Sequence, residues 1–135
     1  MDNVLVTGIE KTKSDALREL PIRVIAQSSS KGALDCLRRL NIDSIISNWE
    51  MPDAPDGHFI KRIKDALPSM PVIAVVESGN AAQEIAARCT GVSAVITDDI
   101  EPDEFRELIA EMLGIGIEAV SNNYKLILGS AEPTS

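Results

Sequence analysis

Short β-branched runs alternate along this chain with stretches in which apolar residues recur at helical spacing. Val4-Leu5-Val6 is the first run, ended by Thr7-Gly8, and Ala16, Leu17 and Leu20 then mark a helix that Pro21 closes. Ile22 to Ala26 reads as a second strand. Ser28, Ser29 and Ser30 offer N-caps for a helix whose Ala33, Cys36, Leu37 and Leu40 fall at i, i+3, i+4 and i+7. Ile42 to Ser47 is a third strand. A Pro- and Asp-rich loop, Met51 to Gly57, leads into a helix carrying Phe59, Ile60, Ile63 and Leu67. Val72 to Val76, opened by Pro71, is apolar throughout and reads as the fourth strand. Asn80 is placed to cap a helix with Ala82, Ile85, Ala86 and Cys89 on its apolar stripe, and Gly91 ends it. Ala94 to Ile96 is a fifth strand. Pro102 suits a first helical position, with Asp103 and Glu104 favourable against the helix dipole. Phe105, Leu108, Ile109 and Met112 predict the buried stripe of the last helix.

Strands that are apolar on both faces and alternate with helices imply a parallel sheet covered on both sides. Right-handed crossovers make a doubly wound, five-stranded, flavodoxin-like α/β sheet the economical solution. Ligands of such sheets bind beyond the carboxyl ends of the strands. The residues there are Thr7 to Glu10, Ser47 to Glu50, Val76 to Ser78 and Thr97 to Asp99. The domain is expected over residues 1–113. Residues 114–135 read as a C-terminal extension: Gly114 to Ile117 breaks the pattern, and Tyr124 to Leu128 is open between a sixth strand, an edge addition and a linker fragment.

Composition narrows the function classes. Thirteen Lys and Arg against 21 Asp and Glu give a net charge of −8, which repels nucleic acid and anionic lipid. Cys36 and Cys89 lack metal-ligand spacing and both lie on helical stripes as small core residues. No secretory leader precedes Val4, and no apolar run approaches the roughly 20 residues of a membrane span. The expectation is a cytoplasmic domain that binds neither nucleic acid nor membrane. His58, the sole histidine, has no nucleophile or metal partner at recognisable spacing and reads as a surface residue. Neither G-x-G-x-x-G nor G-x-x-x-x-G-K-[ST] is present, which disfavours dinucleotide and nucleoside triphosphate binding.

Between Asn41 and Glu111 the sequence resembles the receiver domain of two-component response regulators, the CheY-like family. Asn41 to Pro52 is similar to the family's third strand and Met-Pro turn, with Asp56-Gly57 following. Pro71 to Val76 resembles its fourth strand, Gly91 precedes the fifth, and Glu101 to Phe105 matches the acidic start of the last helix. The loop from Pro52 to Gly57 is one residue longer than usual, and the likeness lapses after Leu113. The resemblance implies transfer of a phosphoryl group from a histidine kinase to an aspartate, assisted by a divalent cation.

Carried over position by position, that machinery is substituted throughout. The phosphoacceptor falls on Asn48, the acidic pair after the first strand on Gly8 and Ile9, the hydroxyl ending the fourth strand on Val76, and the lysine after the fifth on Asp98. A register shifted by one residue near Gly8 would let Glu10 supply one carboxylate, and Glu50 is the other acid of these loops. The expected function is therefore a pseudo-receiver that is not an enzyme, takes no cofactor and no Mg2+, and acts by contact with a protein: a signalling kinase, an output domain or a second copy. The family's interaction face falls between Asn80 and Met112, so Ile85, Val95 and Phe105 are expected interface residues.

Several positions keep two readings. Ser47 is either an alternative phosphosite or a small core residue, and Asn48 either contacts a ligand or caps its loop. Trp49 is either an exposed partner anchor or packing over the emptied crevice. Asp98, Asp99, Glu101, Asp103 and Glu104 read as a solvated acidic turn rather than a cation site. Three rival functions stay open: a divergent phosphoacceptor using Ser47 or an acid such as Asp53; a sensor with Gly8, Asn48 and Val76 lining a neutral pocket for a small ligand; and an unrelated α/β regulatory domain with another strand order.

Overall fold

In the computed structural model, which describes residues 1–114, five strands and five helices alternate without exception: β1 (Asp2–Thr7), α1 (Lys11–Leu17), β2 (Ile22–Gln27), α2 (Ser30–Arg39), β3 (Ser44–Asn48), α3 (His58–Ala66), β4 (Val72–Val76), α4 (Ala81–Cys89), β5 (Ala94–Thr97) and α5 (Pro102–Leu113). All strand pairs are parallel and the sheet order is β2-β1-β3-β4-β5. This is the expected doubly wound CheY-like architecture, and its strand order removes the unrelated-fold alternative. The suggested break after Gly114 and the strand at Tyr124 to Leu128 fall outside the described residues.

Connection handedness dictates the layers. From β1 the chain steps one way to β2, and every later step runs the other way, so right-handed crossovers of opposite direction deposit helices on opposite faces. One face packs Leu5, Ile45, Val72, Ala74 and Val76 with Ala33, Phe59, Ile60, Ile63 and Ala87 from α2, α3 and α4. The other packs Val4, Val6, Ile46, Ile73, Val75 and Ile96 with Leu17 from α1 and Phe105, Ile109 and Ala110 from α5. Alternate residues of each central strand thus feed different cores, which is why those strands are continuously apolar. The chain leaves β1 for α1 on one face and the neighbouring β3 for α3 on the other, so the loops at their carboxyl ends part and open a crevice.

Local capping follows the sequence. Ser29 Oγ accepts from the Gly32 amide at 3.0 Å, and Asn80 Oδ1 accepts from Gln83 at the same distance. Pro102 opens α5 over Asp103 and Glu104, and Gly114 ends it in the left-handed conformation.

Apolar stripes on four helices are placed differently from expectation. On α4 the buried residue is Ala87, while Ile85 is 62% exposed and Cys89 is also exposed. The helix is short and packs on an edge strand, so a single alanine provides its close approach. Cys36 is buried, as expected. On α5, Ala110 replaces Met112, which faces out. Leu40 and Leu67 are the C-caps of α2 and α3 and are exposed.

Candidate functional site

The crevice is a cavity of about 140 Å3 on the α1/α5 side of the sheet's carboxyl edge. Gly8, Ile9 and Glu10 from the β1–α1 loop, Asn48 from the end of β3 and Asp98 after β5 line it, with Val75 and Phe105 among its apolar walls. Period-two alternation explains the selection. Asn48 follows Ile46 onto this face, whereas Ser47 and Val76 share the opposite face with Ile45 and Ala74. The structure therefore brings Gly8, Ile9, Asn48 and Asp98 together and leaves Ser47 and Val76 out.

Gly8 has a φ of +67°, and its amide donates to Gln27 O at 2.9 Å. A Cβ built there would lie 2.5 Å from Met51 Sδ and 3.3 Å from Asn48 Cβ. Met51 is buried, and its side chain fills the space that any residue other than glycine would need. Ser47 is wholly buried, its Oγ donating to Asn48 O at 3.0 Å.

Asp98 does not stand alone as a free acid. Its Oδ1 accepts from the Ser78 amide at 3.0 Å, while Asp99 accepts from Thr97 Oγ1 at 2.7 Å and Ser78 Oγ at 3.1 Å. The hydroxyl of Thr97, and then that of Ser78, hold the Asp99 carboxyl below the usual value. The acidic turn is thus tied to the β4–α4 loop by hydrogen bonds. Among the described residues no three His, Cys, Asp or Glu side chains converge into a metal-type cluster. Asp53 is also committed: its carboxylate accepts from the amides of Ser30 at 3.0 Å and Lys31 at 3.1 Å, at the N-terminus of α2.

Two expected interface residues are core instead. Trp49 is 3% exposed and belongs to the α2/α3/α4 core, so it is neither a surface anchor nor a lid on the crevice. Odd-numbered neighbours of Asn48 turn to that face. Its ring lies against Gly57, whose φ is +73° and where a Cβ would run into the indole. The Lys61 Nζ sits 5.6 Å from the ring centroid. Phe105 is fully buried beneath the crevice, in the other core. Val95 is half-buried against the α2/α3/α4 core, and Ile85 is open to solvent. His58 is exposed, as expected.

The residue that sequence reasoning missed is Lys13. It is 5% exposed, and its Nζ donates to Asp98 O at 2.5 Å and pairs with Glu10 Oε1 at 3.1 Å. A lysine at the start of a helix ordinarily reads as solvated. The signal was spacing: Lys13, Ala16, Leu17 and Leu20 stand at i, i+3, i+4 and i+7, so the apolar stripe extended by one turn lands on it.

The chain is similar to known proteins over most of its length. It is 26% identical over 110 residues to the transcriptional regulatory protein GlrR of Escherichia coli strain K12, covering 82% of this chain but only 24% of that protein. The chain thus spans about a quarter of that relative's length. Its fold matches the CheY-like response regulator receiver domain protein of Methanospirillum hungatei JF-1 with a TM-score of 0.73 at 16% identity, covering 84% of this chain and 94% of the other. It matches the chemotaxis response regulator CheY4 of Vibrio cholerae with a TM-score of 0.72 at 17% identity, covering 83% and 98%. The model of the response regulator receiver domain family matches residues 8–110, across the crevice and both of its helical layers, and the chain belongs to that family.

Proposed function

We propose that this receiver domain of two-component signalling works as a pseudo-receiver, passing a signal by protein contact without accepting a phosphoryl group. Asn48 carries the reading. It is the β3 side chain that lines the crevice, and an uncharged amide supplies no oxygen nucleophile for an acyl phosphate.

The surroundings support the same conclusion. Magnesium takes hard oxygen ligands, chiefly carboxylates, and the residues here do not fit it. Gly8 cannot carry a side chain without displacing Met51 Sδ, Ile9 is apolar, and the ammonium of Lys13 already projects into the crevice. Phosphorylation at Ser47 would need the end of β3 to open, because that hydroxyl is fully buried. Asp53 would have to release two helix-terminal amides. The small-ligand reading needs Gly8, Asn48 and Val76 around one neutral pocket, and it is disfavoured because Val76 packs in the opposite core while Lys13, Glu10 and Asp98 line the crevice. The partner surface is best sought around exposed Ile85 on α4.

The test is intact-mass and amide NMR measurement with Mg2+ and acetyl phosphate, then with beryllofluoride. The expected result is no added phosphoryl mass and unmoved amides at Gly8, Asn48 and Asp98. A phosphoryl adduct lost on Asn48→Ala would overturn the proposal, and an acid-stable adduct lost on Ser47→Ala would move the function to that serine.

A further inference from the structure

We propose that the Lys13 ammonium is a built-in replacement for the divalent cation of this crevice, and that it ties the β1–α1, β5–α5 and β4–α4 loops into one metal-independent arrangement. The inference deepens the pseudo-receiver reading and rests on it, since both require a crevice without magnesium.

A strongly hydrated ammonium is buried only where fixed oxygens replace its water. Lys13 Nζ finds a backbone carbonyl, Asp98 O, from a loop 85 residues away in sequence, and the Glu10 carboxylate at the N-cap of its own helix. The network continues from there. The Asp98 carboxylate accepts from the Ser78 amide, and Asp99 accepts from Ser78 Oγ. Ser78 lies just before Asn80, the cap of α4, so the chain of contacts runs from α1 to the start of the helix that presents Ile85. The far end of the α1 segment is held as well, by Glu19 with Arg106 of α5 at 2.8 Å. A second cation placed among Glu10, Asn48 and Asp98 would meet the Lys13 charge at close range and be repelled. The oxygens that could have served a metal therefore serve a side chain of the same polypeptide.

The test uses the full chain, Lys13→Met, which keeps volume and removes charge, and Lys13→Gln, which keeps a donor and removes charge. Mn2+ alone is titrated while paramagnetic broadening of amides is followed. The wild type is expected to show no saturable broadening at Gly8, Asn48 and Asp98. Both folded variants are expected to gain weak broadening there, carried by the two carboxylates Glu10 and Asp98, and its absence from both overturns the replacement of the cation. Without metal, Lys13→Met is expected to shift the amides of Ser78, Asp98 and Asp99. Saturable Mn2+ broadening of the wild-type crevice overturns the proposal even if neither variant folds. Unmoved Ser78 and Asp98 amides in a folded Lys13→Met overturn the loop-tying part. A phosphoryl adduct on the wild type without Mn2+ in the crevice would instead defeat the pseudo-receiver reading and leave the lysine's role standing.

Discussion

The sulfur of Met51 lies 2.5 Å from the point that a Cβ on Gly8 would occupy, so the turn after β3 and the turn after β1 are fitted to each other through the absence of one side chain. The arrangement reaches beyond packing. Beside the crevice, the space that any side chain at residue 8 would need is filled by a thioether.

Gly8→Asp is expected to cost about 2–4 kcal/mol, combining left-handed backbone strain with overpacking. Met51→Ala alone should also destabilise, since a buried methionine is lost. The double variant should recover part of the sum, because the clash is then relieved. Denaturant titration of the four proteins measures this. Strict additivity would mean that the two residues do not compete for space.

A second expectation concerns acid. The Ser30 amide, and to a smaller degree that of Lys31, hold the Asp53 carboxyl below its ordinary value of 3.8. Its folded-state pKa is lowered, so its stabilising contribution is complete above the unfolded pKa of about 3.9 and is lost as pH falls through the lower folded value. Asp53→Ala should therefore melt below the wild type at neutral pH. The gap should narrow as pH is taken down from about 5 to about 2. A gap that does not change with pH would show that the carboxylate's charge is not what anchors α2.

On α4, Ile85 and Ala87 make a contrasting pair, the first 62% exposed and the second fully buried. Ile85→Asp is expected to change stability by no more than about 0.5 kcal/mol while weakening whatever protein contact this face makes. Ala87→Leu, against the sheet, should cost about 1–3 kcal/mol. Thermal or denaturant melts rank the two. The reverse order would mean that the helix presents the Ala82, Ile85, Ala86, Cys89 stripe to the core.

The α4 stripe also shows where sequence reasoning ended. Apolar spacing located the helix and Asn80 located its start, but hydropathy favours burying Ile85 over Ala87, and the structure does the reverse. The choice between them fell to how closely a short helix must approach β4 and β5. Trp49 failed for a related reason. Strand alternation puts residues 47 and 49 on one face and residue 48 on the other, but which face bears the crevice depends on which helices cover it.

The sequence by itself determined the ten elements, the capping serines before α2, Asn80 before α4 and the parallel sheet, because strand and helix periods and turn chemistry act over a few neighbouring residues. Only the tertiary structure decided that Met51 closes over Gly8, that Ser47 and Val76 turn away from the crevice, and that Lys13 enters it to meet Asp98 O. Those contacts join segments far apart along the chain, and a lysine's preference for water yields to burial only once folding has set fixed oxygens within its reach.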